Sequence, residues 1–152
     1  MKRFFDYALC SVGGVGYIPF ASGTFGSLAA LLLAWYFGIS GFYAFLTAIV
    51  LYAISVPCIK NVMKKTEHDP SLIVIDEVVG QMMAYAFLPS EAKTVGYYIV
   101  GFMFFRFFDI FKIQPAKWAD TELRNAHGVL LDDVFAGIYA GLCVLFCFLW
   151  MG

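Results

Sequence analysis

Residues 7–59 contain no Asp, Glu, Lys or Arg. This charge-free run of 53 positions constrains the fold more than any other feature of the 152-residue chain. A water-soluble domain of this size still exposes roughly a third of the surface of its unfolded chain. It has no means of hiding so long a run. A second charge-free run covers residues 134–152. Only 14% of the residues are charged and mean hydropathy is +0.80, whereas soluble domains carry roughly 25% charged residues. Such a composition also excludes a disordered chain. A transmembrane barrel would alternate polar and apolar residues, and the LAALLLAW stretch at 28–35 does not. The expected fold class is all-α: a small polytopic helical membrane protein. With no internal repeat and no low-complexity linker, it reads as a single domain over 1–152.

Five apolar segments are expected, over about 26–39, 41–59, 69–89, 94–112 and 129–152. Asp69 reads as the N-cap of the third segment, with Pro70 as its first helical residue. The stretch before them, residues 7–24, is apolar but broken by Gly13, Gly14, Gly16 and Pro19. That makes it a poor signal peptide. It suits an interfacial helix followed by a re-entrant loop, since irregular backbone at membrane depth must be covered by protein or water. The cations set the orientation. Lys2, Arg3, Lys60, Lys64, Lys65, Lys112, Lys117 and Arg124 fall on one side and Lys93 on the other. The positive-inside rule then places the N-terminus in the cytoplasm and the C-terminus outside, with about five transmembrane helices between them.

A net charge of −1 with scattered cations gives no surface for nucleic acid. Cys10, Cys58, Cys143 and Cys147 lie in apolar stretches without ligand partners at zinc spacing. They read as small apolar packing residues. His68 and His127 read as surface or capping residues.

Six ionisable residues interrupt or open apolar helices: Asp76, Glu77, Arg106, Asp109, Asp132 and Asp133. Charges inside a membrane cost several kcal/mol unless paired or wet, so they mark function by default. Asp76, six residues past Pro70, is expected ~9 Å in from the cytoplasmic end of its helix. Arg106, six residues before Lys112, is expected at the same depth on a helix running the opposite way. Arg106, Asp109 and Lys112 share a face, and Asp132 and Asp133 are expected to open the last helix on the same side. The Gly-Thr-Phe-Gly-Ser stretch at 23–27 opens the first helix there too. Its free N–H groups, the hydroxyls of Thr24 and Ser27 and the helix dipole suit an anion.

Several carboxylates in one dry site repel one another unless a cation neutralises them. An all-oxygen ligand set favours Mg²⁺ or Mn²⁺ over zinc. Asp76, Glu77, Asp109, Asp132 and Asp133 are therefore the candidate metal ligands and catalytic residues. Thr24, Ser27, Arg106, Lys112 and Lys117 are candidates for holding phosphate. The combination reads as metal-dependent chemistry on a phosphorylated lipid head group. Either a metal-activated water or a carboxylate could attack phosphorus.

Three stretches carry a resemblance: Gly14-Val-Gly16-Tyr-Ile-Pro19 leading into 23–27; Ile75-Asp76-Glu77-Val-Val-Gly80; and Arg106-Phe-Phe-Asp109-Ile-Phe-Lys112 with Pro115, then Leu131-Asp132-Asp133 and Gly137. In this order they resemble the bacterial phosphatidylglycerophosphatase A family, over nearly the whole chain. The chain departs from that pattern at Ser22, Ile75 and Ile113, where the family often has Pro, Trp and Pro. The resemblance implies an Mg²⁺-dependent phosphatase of the bacterial inner membrane. Such an enzyme hydrolyses phosphatidylglycerophosphate to phosphatidylglycerol with its active site on the cytoplasmic face. The alternative is a small divalent-cation or proton transporter, since intramembrane carboxylates also mark ion pathways. The near-absence of polar residues in the outer halves of the helices and of inverted repeats weighs against it. A non-catalytic head-group scaffold is disfavoured, because five acids would repel an anionic lipid.

Overall fold

The computed structural model describes residues 2–64, 70–92 and 94–151. Asp69 as a helix cap, and the side assigned to Lys65 and Lys93, fall outside the described residues, as does His68. The described residues form seven α-helices and two 3-10 turns, with no strand among them. The order is α1 (Lys2–Cys10), a 3-10 turn (Val15–Tyr17), α2 (Ser22–Phe37) and α3 (Gly41–Met63). A second 3-10 turn (Pro70–Leu72) follows, then α4 (Ile75–Tyr85), α5 (Val95–Phe111), α6 (Ala116–Glu122) and α7 (Ala126–Met151).

The third apolar segment departs most from expectation. Its helix begins at Ile75 rather than at Pro70. Residues 70–72 form a 3-10 turn, and the Val74 N–H donates to the Cys10 carbonyl at 2.9 Å. That bond ties the segment to the end of α1 and delays the helix. Asp76 and Glu77 consequently occupy the first turn of α4, where carboxylates are favoured by the helix dipole. The last helix departs the other way and begins at Ala126 rather than near Val129. Asn125 caps it, its Oδ1 accepting the N–H groups of His127 (2.8 Å) and Gly128 (3.2 Å). Asp132 and Asp133 therefore lie beyond the first turn of α7 and are not needed as caps. The 112–128 connection, expected as a loop, contains α6.

α4 is the hub. It has 11 residues, ~16 Å of helix, and Ile75 and residues 78–85 are all buried. It packs against α2, α3, α5 and α7. Its approach to α7 is close because both contact faces are built from small residues. A Cβ added at Gly80 would lie 2.6 Å from the Asp133 carbonyl oxygen and against the Phe105 ring. One added at Gly137 would run into the Gly80 carbonyl and come within 3.0 Å of Met83 Cβ. Ala84, Ala136 and Ala140 continue the contact, all buried. Small faces of this kind let helix backbones approach without a bulky seam.

The outer surface is apolar. Phe37, Phe42, Tyr43, Met103, Phe146 and Trp150 are all more than 60% exposed. α3 and the Ala126–Trp150 part of α7 are each long and apolar enough to cross a membrane, and α2 is a shorter apolar helix.

Candidate active site

The polar residues converge where α2 and α4 begin and α5 ends, beside the second turn of α7. Glu77, in the first turn of α4, meets Arg106 near the end of α5, with Nη1 2.5 Å from Oε2. The same Nη1 lies 2.9 Å from Asp109 Oδ2, one turn further along α5. All three side chains are less than one-fifth exposed. Ser27 Oγ, fully buried in the second turn of α2, is 2.9 Å from both Glu77 Oε2 and the Gly23 carbonyl. Arg106 Nη1 reaches Ser27 Oγ at 3.5 Å. Gly23 leaves the space that Glu77 occupies, because a Cβ there would collide with Glu77 Oε1.

Asp133, 4% exposed on α7, completes the group from the third side. One oxygen from each of Glu77, Asp109 and Asp133 lies within 4.8 Å of the others. An octahedral cation with ~2.1 Å bonds spans ~4.2 Å between opposite ligands. Adjacent ligands of such a cation lie only ~3.0 Å apart, so the three side chains would draw inward to hold one. The donors are all carboxylate, so the set fits a hard cation such as Mg²⁺.

A second group lies beside the first. Lys112 Nζ bridges Asp132 Oδ2 (2.7 Å) and Asp120 Oδ1 (2.8 Å). Partial burial disfavours the Lys112 charge. The hydrogen bonds of Asp120 and Asp132 more than offset this and hold its pKa above the usual lysine range. Lys112 ends α5 in a left-handed conformation, φ 43°. That costs roughly 1–2 kcal/mol for a residue with a Cβ and is held by the two ion pairs. Asp76 stands between the groups. Its Oδ1 accepts the Glu77 N–H at 3.0 Å, and the charges of Glu77 and Asp132 act on it.

A cleft of about 590 Å³ leads to this cluster. Glu77 and Arg106 line it, together with Ser22, Gly23 and Thr24 at the start of α2 and the 16–19 stretch. Ser22 Oγ donates to the Ser71 carbonyl at 3.0 Å, joining the first residue of α2 to the Pro70–Leu72 turn. Thr24 therefore borders the cleft, and Ser27 lies beneath Glu77. Lys117 is exposed on α6 and forms none of the cluster's ion pairs among the described residues.

Asp120 is not among the candidates read from the sequence. The signal was present in Ala116, Ala119 and Leu123, whose i, i+3, i+7 spacing marks a short helix beside Lys112. Gln81, one turn past Glu77 and fully buried, is not among those candidates either. Burial, reinforced by the neighbouring Cys58, pushes the Cys10 thiol up to about 12. His127 Nδ1 is paired with Tyr52 Oη at 2.9 Å, away from the cluster.

The phosphatidylglycerophosphatase A family profile matches residues 8–148. The chain belongs to this family. It is 37% identical over 148 residues to a phosphatidylglycerophosphatase A of Haemophilus influenzae, covering 94% of this chain and 89% of that protein. It is 30% identical over 142 residues to the phosphatidylglycerophosphatase A of Escherichia coli, covering 91% and 81%. A putative phosphatidylinositol-3-phosphatase of Bacteroides thetaiotaomicron is 33% identical over 153 residues, covering 95% of both chains. No solved structure matches the chain. Every residue of the cluster lies inside the matched span.

Proposed function

We propose that the chain is a lipid phosphatase that hydrolyses phosphatidylglycerophosphate to phosphatidylglycerol and phosphate. One observation carries the reading. In a chain of this family, Glu77, Asp109 and Asp133 converge from three helices around Arg106 at the end of an open cleft. The arrangement suits a phosphomonoester. A guanidinium has five N–H donors, and the contacts to Glu77 and Asp109 both use Nη1. The other donors of the fork are suited to phosphate oxygens and to charge developing in the transition state. The first-turn N–H groups of α2, next to Thr24, add a partial positive charge at the cleft wall. Lys112, fixed by Asp120 and Asp132, supplies positive charge on the neighbouring side.

Glu77, Asp109 and Asp133 would hold Mg²⁺, with Asp76 and Asp132 in the surrounding shell. When bound, the metal offsets the carboxylate charge and lowers the pKa of a water at neutral pH. Glu77 is positioned for this by Ser27 and Arg106 together, and Gly23 gives the space in which it turns.

The chain is read as a multi-pass protein of the bacterial inner membrane. α2, α3, α4, α5 and α7 alternate in direction, and α1 lies along the cytoplasmic interface. The exposed aromatic and aliphatic side chains of α2, α3, α5 and α7 support this, because water-soluble monomers rarely show contiguous apolar surface on such a scale. α4 is too short to span alone. It is shielded by its neighbours, and the 70–74 segment extends it toward the cytoplasmic side.

The test is phosphate release by purified protein in detergent, from phosphatidylglycerophosphate, phosphatidylinositol 3-phosphate and phosphatidic acid, with and without Mg²⁺. The expected result is Mg²⁺-dependent release, fastest from phosphatidylglycerophosphate and abolished by a chelator. Release from none of the three, or vesicles that move Mg²⁺ without hydrolysis, would overturn the reading.

A further inference from the structure

The cleft that reaches Glu77 and Arg106 does not end at its polar wall. Tyr17 lines it at the opposite edge and also lines a second hollow of about 250 Å³. The walls of this second hollow are Phe4, Tyr7 and Ala8 of α1 and Gly13 and Gly14 of the following turn. It exists because the chain reverses there without side chains. Gly13 and Gly14 have φ of 67° and 109°, and a Cβ built on either would meet nothing within 4 Å. Of the three hydroxyl-bearing residues in the wall, Tyr7, Ser11 and Tyr17, the serine is turned inward. Ser11 is 1% exposed, and its Oγ accepts the Gly14 N–H at 3.1 Å. The lining holds no charged side chain, and hydrocarbon would find aromatic and glycine surface there.

The surroundings point the same way. Phe4 and Phe20 are each 82% exposed and Tyr17 is 63% exposed. α1 carries Lys2, Arg3 and Asp6 among Phe4, Phe5, Tyr7 and Leu9, the composition of a helix lying in a membrane interface. The hollow has room for about eight water-sized groups, which suits a glycerol backbone and the first methylenes of one chain rather than a whole lipid. We infer that the groove between α1 and the Val15–Tyr17 turn is the acyl-glycerol subsite for the lipid whose phosphate occupies the polar cleft. This rests on the lipid-phosphatase reading above and adds to it a place and a chemistry for the apolar half of the substrate. Tyr17 is the residue that the two hollows share.

Two measurements test the inference. In the first, Ala8→Trp fills the groove. The ratio of kcat/KM for a dioleoyl phosphomonoester lipid to that for its deacylated, water-soluble counterpart should fall about tenfold relative to wild type. An unaltered ratio in Ala8→Trp overturns the inference. In the second, a phospholipid carrying a photoreactive carbene precursor next to its glycerol ester is irradiated with wild-type protein in micelles. Label within residues 4–17, competed by unlabelled dioleoyl lipid, is the expected result. Label confined to α2–α7 overturns it, as does uncompeted label spread over the whole surface. The second measurement needs neither turnover nor a folded variant. If the phosphatase reading were wrong, wild type would release no phosphate from either substrate, whatever the labelling pattern.

Discussion

At the scale of single residues, the site depends on one shared guanidinium and on the space around one carboxylate. Arg106 Nη1 holds Glu77 and Asp109 at once. Neither acid is stranded if the other is neutralised, and the three side chains are fixed relative to α2 through Ser27. Gly23 gives this a sharp test. A methyl group at that position would collide with Glu77 Oε1, the far end of a side chain able to move aside. Gly23→Ala should therefore fold normally but push Glu77 off Arg106 and Ser27. Displacing a reacting group by about 1 Å is enough to lose roughly 100-fold in rate. Measuring melting temperature and specific activity together checks this: near-wild-type melting with a large loss of activity is expected. Retained activity would mean that the exact placement of Glu77 is not needed.

At the scale of elements, the crossing of α4 and α7 carries Asp133 to Glu77. The crossing depends on Gly80 and Gly137, whose missing side chains leave room for the opposite backbone. Gly137→Val would drive a branched side chain into the Gly80 carbonyl and Met83. Overpacking of this kind typically costs 1–3 kcal/mol, so detergent-solubilised Gly137→Val should melt clearly below wild type. Equal melting would show that α4 and α7 are less closely packed. These elements also show what was legible in the sequence. The five apolar segments, the helix start at 23–27 and the clustering of Glu77, Arg106, Asp109 and Asp133 could all be read from charge-free runs interrupted by rare charges. The starts of α4 and α7 could not. The first is set by a long-range bond from Val74 to Cys10, and the second by Asn125, an N-cap four residues ahead of the expected start. Asp120 was missed because α6 is short and amphipathic, so hydropathy reads it as loop. The reduction of the third segment to an 11-residue buried helix was also not visible, since burial inside a bundle and burial in lipid select the same residues.

At the scale of the whole molecule, the carboxylate cluster lies at one end, and at the other Gly41 comes close to Leu88 and Ser90 and Tyr98 Oη donates to the Ile39 carbonyl. Placed in a membrane by its exposed apolar belt, the chain should keep its N-terminus and residues 112–125 in the cytoplasm, and residues 86–94 and the C-terminus outside. Topology reporters fused after residues 64, 92, 124 and 151 should read inside, outside, inside and outside. A reporter after residue 124 that read outside would move the site to the wrong face. The central claim is that the carboxylates around Arg106 perform the chemistry and are not merely a device for joining helices. The most direct measurement is the rate of phosphate release from phosphatidylglycerophosphate by Glu77→Gln, normalised to folded protein and compared with wild type. The variant keeps the shape of Glu77 and leaves Arg106 paired with Asp109. The account predicts intact folding and a loss of at least ~100-fold in rate, the usual effect of removing one strong electrostatic contact from a reacting centre. A Glu77→Gln protein that turned over substrate at the wild-type rate would contradict it.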